Sequence, residues 1–390
     1  MVKDFTLFRI PRIIFGNGKL SQLPSLVKAY GNSVLILTGK ESLQKNKVAA
    51  GLFDTLKQNH IFHQVDNVPH EPSPSLVDNL VQKHSGSSVQ VVIAIGGGSV
   101  IDAGKAISAM LPLRESVKDY IEGVGTKIHP GIKIPFFAVP TTAGTGSEAT
   151  GNAVLSETGP GGFKRSLRHE NFIPDVALVD PELAVSCPPR QTAISGMDAF
   201  TQLLESFLST RNNALTDALG LEGIREIKRS LKTAVAHGND PEARAGMSYA
   251  AMLSGITITN AGLGLVHGFA SSIGGLKNIP HGVICGTLMG IVNRYTVEKL
   301  LKADTQSTAL EKYIQLGKML SKDEGRSDAD YAFYVANYIE SLVEELKIPT
   351  LGRYGLSTEE ITMIAQSTDH KNSPVVFTPE ELTEMLLKRL

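Results

Sequence analysis

The sequence predicts an α/β domain with a mostly parallel sheet, followed by an all-helical domain. Short apolar runs rich in β-branched residues recur through roughly the first 180 residues, with helical stretches between them. Beyond Asp180 the strand signal almost disappears, and apolar residues recur at helical spacing. A chain of 390 residues is long enough for two cores. We place the domains at residues 1–183 and 184–390.

Continuous apolar runs predict the buried strands of the first domain. They lie at residues 33–38, 90–95, 135–140 and 175–180. Such runs, alternating with helices, are typical of a parallel sheet that is covered on both faces. In the second domain, helical periodicity marks residues 192–209, 215–236, 241–258, 308–319 and 327–346.

Composition and charge narrow the classes of partner. A net charge of -1 gives no electrostatic reason to expect a nucleic acid or an anionic membrane. Cys187 and Cys285 lie far apart and form neither a disulfide framework nor a cysteine-type zinc site, which suits a reducing cytoplasm. There is no signal-peptide core, and no uncharged run approaches the roughly 20 residues of a membrane span. We therefore expect a cytoplasmic protein with a small-molecule ligand.

A glycine-rich turn follows the second of these strands. Residues 96–105 read GGGSVIDAGK, so glycines stand between a strand and a helix. Free backbone N–H groups and the positive end of the helix would hold a phosphate there. Gly97 and Gly98 would let the ligand approach closely, and Ser99 could cap the helix. The spacing differs from the GxGxxG fingerprint, so a purely structural turn remains open.

A second polar loop, VPTTAGTGSEAT at residues 139–150, also follows an apolar strand. Ligands of open α/β sheets bind at the carboxyl ends of the strands, so the two loops are expected to flank one crevice. The alternative is a Ser/Thr-rich turn that only caps a helix.

The second domain contains a set of candidate metal ligands. Asp198 and Gln202 lie four residues apart on one helix face, and His267 and His281 stand in apolar, glycine-rich surroundings. One carboxylate and two neutral imidazoles suit a divalent cation that keeps an open position for substrate. Histidines packed in the core for structural reasons are the alternative.

These stretches together resemble the iron-containing alcohol dehydrogenase family, within the dehydroquinate synthase-like superfamily. The match runs in order through GGGSVIDAGK, VPTTAGTGSEAT, VDPEL, GMDAFTQLLESFLS and HGFASSIGGLKNIPHG. The resemblance implies an N-terminal Rossmann-like nucleotide-binding domain and a helical metal domain. It also implies hydride transfer across the cleft between them, so that the protein would be an NAD(P)-dependent alcohol dehydrogenase or an aldehyde or ketone reductase.

The resemblance also implies roles for particular residues. Gly97, Gly98 and Ser99 would hold the pyrophosphate, with Asp102 near the nicotinamide. The remaining cofactor contacts that it implies are Thr141, Thr142, Thr145 and Lys164.

Asp198, His267 and His281 match three of the family's four ligands of Fe²⁺ or Zn²⁺. Gln202 stands at the fourth, where iron-binding members have His, and Ser271 replaces a further histidine that would relay a proton. The glycerol dehydrogenase branch, which also lacks the fourth His, binds zinc with Asp and two His.

The end of the second strand bears on the choice of nucleotide. NAD-preferring sites place a carboxylate at the ribose 2′-OH, but Gly39 has none. Lys40 and Ser42 could meet a 2′-phosphate, whereas Glu41 opposes this. The sequence therefore favours NADP over NAD.

In the implied mechanism, a metal ion polarises a carbonyl while hydride is transferred, and Gln202 assists as a ligand or as a hydrogen-bond donor to substrate. The proton would move through water, Thr201 or the cofactor ribose. The late loop at residues 368–374 resembles the family's cleft-facing loop. In it, His370 and Lys371 would favour an anionic carbonyl compound or would simply be solvated.

Three other functions remain open. They are a metal-independent reductase resembling maleylacetate reductase, a dehydroquinate synthase-type lyase, and a nucleotide-binding protein without catalysis. The family also implies a homodimer, and the alternating segment Phe5–Ile10 fits either pairing across a two-fold axis or an edge strand.

Overall fold

The computed structural model describes residues 4–40, 43, 46–159, 161–303 and 307–390. Strands and helices alternate in the first part of the chain. The strands are β1 (Arg12–Phe15), β2 (Ser33–Gly39), β3 (Phe62–Val68), β4 (Val91–Gly96), β5 (Phe136–Pro140), β6 (Asn152–Glu157), β7 (Phe163–Arg168) and β8 (Val176–Val179). The helices among them are α1 (Leu23–Lys28), α2 (Leu52–Gln58), α3 (Pro74–His84) and α4 (Gly98–Met110).

Six of these strands form one parallel sheet in the order β1-β8-β5-β4-β2-β3. Alternate residues of β4 pack on opposite faces: Val92 and Ala94 join the core under α3 and α4, whereas Val91 and Ile93 join the core under α1 and α2. This arrangement explains why every residue of β4 is buried. The prediction of a parallel sheet covered on both faces is confirmed, and the predicted strands match within one residue at each end.

Two features of the first domain differ from the expectation. β6 and β7 form a separate antiparallel pair that the apolar runs do not indicate. The segment Phe5–Ile10 forms no strand, and the first strand of the sheet begins at Arg12. The interpretation of this segment as an edge strand of the chain's sheet is therefore wrong. The apolar side chains of the segment are exposed.

From Pro189 onward, the described residues form helices and no strand. The helices are α5 (Pro189–Leu208), α6 (Ala214–Ala236), α7 (Pro241–Ala261), α8 (Leu265–Leu276), α9 (His281–Ala303), α10 (Thr308–Leu320), α11 (Asp328–Glu345), α12 (Thr358–Ser367) and α13 (Pro379–Leu387). The predicted all-helical second half is confirmed. No single helix of the described chain is long and apolar enough to cross a bilayer, although α7 and α8, bent by 97° at their junction, qualify together by length and composition.

The loop after β5 joins the two halves through very close backbone contacts. Gly146 adopts a left-handed conformation with φ of 61°, and a Cβ there would overlap the backbone of Gly255 in α7. A Cβ on Gly255 would in turn overlap the carbonyl oxygen of Gly146. A Cβ on Gly144 would lie 2.8 Å from the Cβ of Ser195 in α5. The carboxyl edge of the sheet is thereby held against the helices.

We expect Gly255→Ala to lower the free energy of unfolding by about 2 kcal/mol, because the added methyl group meets backbone that cannot move aside without opening the junction. Denaturant unfolding measures the change. Gly86→Ala is the matched control, since a Cβ there has no neighbour within 4 Å. Equal stability of the two variants would contradict this account of the junction.

Candidate active site at the domain junction

A cleft of about 200 Å³ lies where the carboxyl edge of the sheet meets the helices. It is lined from both halves of the chain. The predicted site residues that line it are Gly98, Ser99, Asp102, Thr145, Lys164, Asp198, Gln202, His267 and His281. The predicted residues that do not line it are Gly39, Lys40, Gly97, Thr141 and Thr142.

The two glycine-containing loops pack directly on each other at the floor of this cleft. A Cβ on Gly97 would lie 3.2 Å from Oγ1 of Thr142, and one on Gly98 would lie 2.5 Å from Cγ2 of Thr145. The position that caps α4 is Gly97, so the expectation that Ser99 caps the helix is wrong. Ser99 lies inside the first turn, where it lines the cleft beside backbone N–H groups that have no partner within the helix.

Asp102 is held by a buried polar network behind this turn. Its carboxylate accepts hydrogen bonds from the hydroxyl of Ser147 and from the backbone N–H of Val154, the latter at 3.2 Å. Burial raises the pKa of Asp102. Lys105 Nζ is 3.9 Å away and donates to Thr150 Oγ1 at 2.9 Å, which ties α4 to the loop after β5. Burial lowers the pKa of Lys105 to about 8.

The β6–β7 pair supplies one wall of the cleft. Lys164 on β7 lines the cleft, and its Nζ donates to Oε1 of Glu71 at 2.6 Å. Glu71, in the segment that leads into α3, also lines the cleft. Sequence reasoning missed Glu71, because it lies in an ordinary polar loop.

The residues predicted to meet the adenosine ribose lie at the carboxyl end of β2. Gly39 is the last residue of this strand, which pairs with β4. Lys40 follows it and is exposed. Glu41 and Ser42 lie outside the described residues. Gly39 therefore lies beside the glycine turn at one edge of the sheet.

A compact group of potential metal ligands lies on the helical side of the cleft. One donor atom each from Asp198, His267, His281 and Cys285 lies within 4.8 Å of all the others. Asp198 Oδ1 is 3.5 Å from Nε2 of His267 and 3.7 Å from Nε2 of His281. The three predicted residues thus converge, and Cys285 joins them.

Two buried polar atoms of this group lack hydrogen-bond partners, which supports a cation site. Among the described residues, the buried atoms Asp198 Oδ1 and His281 Nδ1 have no hydrogen-bond partner. Asp198 is 2% exposed, and an unpaired buried carboxylate oxygen is costly unless a positive charge neutralises it. Burial tends to raise the pKa of Asp198, but His281 and His267 hold it below its usual value. A divalent ion between these donors would remove the unpaired charge.

Glu205 orients one of the imidazoles. Its Oε2 lies 2.7 Å from Nδ1 of His267, and its Oε1 accepts the backbone N–H of Val266 at 2.6 Å. With Nδ1 as the donor, Nε2 of His267 faces Asp198, as in histidines that bind metals. Burial lowers the pKa of His267, but its acidic neighbours Cys285, Glu205 and Asp198 raise it well above its ordinary value. Sequence reasoning missed Glu205, although it lies seven residues after Asp198 on the same helix face.

Three further residues singled out from the sequence make hydrogen bonds within the helical domain. Gln202 lines the cleft, and its Oε1 accepts a hydrogen bond from Ser254 at 2.6 Å. Ser271 also lines the cleft and donates to the carbonyl of His267 at 2.8 Å. Thr201 is fully buried and donates to the carbonyl of Met197 at 2.8 Å, so it is wrong as a route for the substrate proton.

The loop at residues 368–374 reaches the cleft with one side chain. Lys371 lines the cleft. His370 instead accepts the backbone N–H of Phe377 at 2.9 Å and stacks on its ring, which indicates a structural role. Asn372 fixes the loop by hydrogen bonds with the carbonyl of Leu263.

Comparison with known proteins identifies the architecture. The model of the iron-containing alcohol dehydrogenase family matches residues 11–181, and that of its C-terminal region matches residues 192–390. Long-chain-alcohol dehydrogenase 1 of Geobacillus thermodenitrificans is 31% identical over 96% of this chain and 94% of its own. NADPH-dependent butanol dehydrogenase of Clostridium saccharobutylicum is 31% identical over 90% of this chain and 88% of its own. A 1,3-propanediol oxidoreductase structure superposes with a TM-score of 0.88 at 28% identity and covers 100% of both chains.

We expect Glu205→Gln to weaken Zn²⁺ binding about 10- to 100-fold, because His267 loses the carboxylate that fixes its tautomer and raises its basicity. Calorimetric titration of the metal-free protein measures the change. Glu340→Gln is the control, since it removes a carboxylate that pairs with Arg294 away from the cleft. Unchanged affinity in Glu205→Gln would exclude the assigned orienting role.

Proposed function

This chain belongs to the iron-containing alcohol dehydrogenase family, and we propose that it catalyses NAD(P)-dependent interconversion of alcohols with aldehydes or ketones at the cleft lined by Asp198, His267 and His281. The observation that carries the assignment to these residues is the buried, unpartnered Oδ1 of Asp198, which faces two imidazole nitrogens beside the glycine turn. The glycine turn proposed to bind the nucleotide and the proposed metal ligands thus line the same cleft.

The bound cofactors supply the chemistry: a nicotinamide provides or accepts hydride, and a divalent ion, Fe²⁺ or Zn²⁺, polarises the substrate oxygen as a Lewis acid. The protein orients these groups. Gly98 and Ser99 would present backbone N–H groups to the dinucleotide phosphates, and Asp102 is held nearby by hydrogen bonds from Ser147 and Val154.

Gln202 would position the substrate. Because Ser254 occupies the amide oxygen, the amide nitrogen is the group left to donate to a substrate oxygen in the cleft. The alcohol proton would pass to water or to the cofactor ribose. Neither route needs the buried Thr201.

The alternatives weighed from the sequence are not favoured. The named relatives are alcohol and butanol dehydrogenases, so a dehydroquinate synthase-type lyase has no support among them. A metal-independent reductase would leave Oδ1 of Asp198 buried without a hydrogen-bond partner.

We propose NADP(H) as the preferred nucleotide. Gly39 at the end of β2 brings no carboxylate to the ribose, and the exposed Lys40 follows it. The butanol dehydrogenase relative is named for NADPH, whereas a methanol dehydrogenase of Bacillus methanolicus is named for NAD, so the proposal rests on Gly39 and Lys40.

The remaining proposals concern the domain division, the oligomeric state and the cellular location. We propose the domain division 1–183 and 184–390, which the strands and helices of the described residues support. We propose a homodimer, because Phe5, Leu7, Phe8 and Ile10 are exposed in the single chain, and sedimentation equilibrium tests this. The two free cysteines agree with a cytoplasmic location, which cell fractionation tests.

We expect Asp198→Asn to lower kcat/KM for NADPH-dependent aldehyde reduction at least about 100-fold, because the site loses its only carboxylate ligand. Chelation should abolish turnover in the unaltered protein, and Zn²⁺ or Fe²⁺ should restore it. NADPH binding, followed by fluorescence, should persist in Asp198→Asn. Asp119→Asn, which alters a surface ion pair with Lys127, serves as the control. Turnover that resists both chelation and Asp198→Asn would refute the proposal.

We expect Gly39→Asp to lower kcat/KM for NADPH about tenfold or more while changing that for NADH much less, since the new carboxylate repels a 2′-phosphate. Steady-state assays with both nucleotides measure the ratio. Gly39→Asn is the isosteric control without the charge. A parallel loss with both nucleotides would indicate a steric effect and argue against the proposed NADP preference.

A further inference from the structure

Cys285 lies in the metal-ligand cluster at a place where nothing in the family resemblance assigns a ligand. It is 0% exposed and sits one turn after His281 on α9, so the two side chains project from one face of this helix. Its Sγ is 3.7 Å from Nε2 of His281 and 3.8 Å from Nε2 of His267. Both distances join a sulfur to a nitrogen that also faces Asp198.

From these distances we propose that Cys285 is the fourth protein ligand of the catalytic metal ion. In a tetrahedral zinc site with bonds of roughly 2.0 Å to nitrogen and 2.3 Å to sulfur, neighbouring N and S atoms lie about 3.6 Å apart, and N and O atoms about 3.3 Å apart. The separations of 3.5 to 3.8 Å within the cluster are close to these values. Four of the six donor–donor separations are thus close to the edges of a coordination tetrahedron, and the other two are within 4.8 Å.

Hydrogen bonding alone does not account for the position of the thiol. A thiol carries one proton and is a weak donor, so it cannot donate to both imidazoles. Both contacts are long, and Asp198 Oδ1 remains without a partner beside them. A cation at the common centre would satisfy all four donors together.

Cys285 also compensates for Gln202. The resemblance implies four ligands, with Gln202 at the fourth position, where its amide oxygen also accepts a hydrogen bond from Ser254. Gln202 lines the cleft, whereas Cys285 does not. Cys285 would thus complete a set of four ligands from behind the cleft, and a substrate oxygen would enter from the cleft side as a fifth ligand.

Ion binding requires the thiol to lose its proton. The entering cation displaces this proton to solvent, sulfur becomes a thiolate, and no group is oxidised or reduced. A thiolate favours Zn²⁺ over harder ions, so the presence of Cys285 favours zinc.

The inference rests on the proposed function in assuming that an ion binds here, and X-ray absorption of the full-length protein loaded with one equivalent of Zn²⁺ tests it directly. We expect one sulfur at about 2.3 Å in the zinc shell. The same sulfur should appear in Cys187→Ser, which alters the only other cysteine, and should be absent from Cys285→Ser. Zn²⁺ affinity should fall at least about tenfold in Cys285→Ser. Loading with Co²⁺ should give a thiolate-to-cobalt charge-transfer band with the same dependence on the variants.

The outcomes separate this inference from the proposed function. A zinc shell of nitrogen and oxygen only, in a protein that still reduces aldehydes with NADPH in a chelator-sensitive way, would overturn the role of Cys285 and leave the proposed function standing. Failure to bind any of Zn²⁺, Co²⁺ and Fe²⁺ would overturn both. If Cys285→Ser does not fold, the spectra of the unaltered protein and of Cys187→Ser still decide the matter.

Discussion

The carboxylate of Asp198 imposes the central constraint on this molecule. It lies in the middle of α5, is almost fully buried, and has one oxygen without a hydrogen-bond partner among the described residues. A fold can maintain such a group only if a positive charge compensates it for much of the protein's lifetime. The neighbouring imidazoles, the thiol and Glu205 are arranged around this requirement. The helical half of the chain thus gathers two imidazoles and a thiol around one buried carboxylate.

The constraint explains why the two halves must meet so closely. A hydride acceptor and a hydride donor have to come within reacting distance, so a dinucleotide on the sheet is useful only if the sheet edge reaches the ion. The glycines of the loop after β5 allow this, because Gly146 and Gly255 bring backbone against backbone. Lys105 secures the same loop from the other side through Ser147 and Thr150. The packing at the junction therefore holds the carboxyl edge of the sheet close to the proposed metal ligands.

Much of this arrangement could be predicted from the sequence. The strands of the sheet are continuous apolar runs, and a run with glycines at its end, such as the one before Gly96, marks both an element and a ligand edge. The β6–β7 pair could not be predicted in the same way, since its half-buried residues alternate only weakly and Lys164 and Arg168 interrupt them. Phe5–Ile10 alternates like a strand, yet it forms no strand in the single chain. Local pattern identifies an element only where tertiary packing agrees with it.

The site was predictable where spacing along one helix carried the information. Asp198, Gln202 and Glu205 recur on one face of α5, but only the first two were recognised, because a glutamate in an apolar helix has many possible partners. Cys285 was missed because the cysteines were considered as a pair separated along the chain. The relevant relation was between Cys285 and His281, four residues apart on one helix, and this spacing could have revealed it. Residues on different helices, such as His267, come together only through the fold.

The side chains of the site fall into two groups, those that line the cleft and those that lie behind it. Glu205 and Cys285 do not line the cleft, so they can influence an ion without touching substrate. Gln202, Ser271 and Lys371 border the space that a substrate would occupy. We therefore expect substitutions at Gln202, Ser271 and Lys371 to change the fit of an alcohol while the ion remains bound. A ligand added from behind, such as Cys285, makes that freedom possible, because it removes the need for the cleft-facing position to hold the metal.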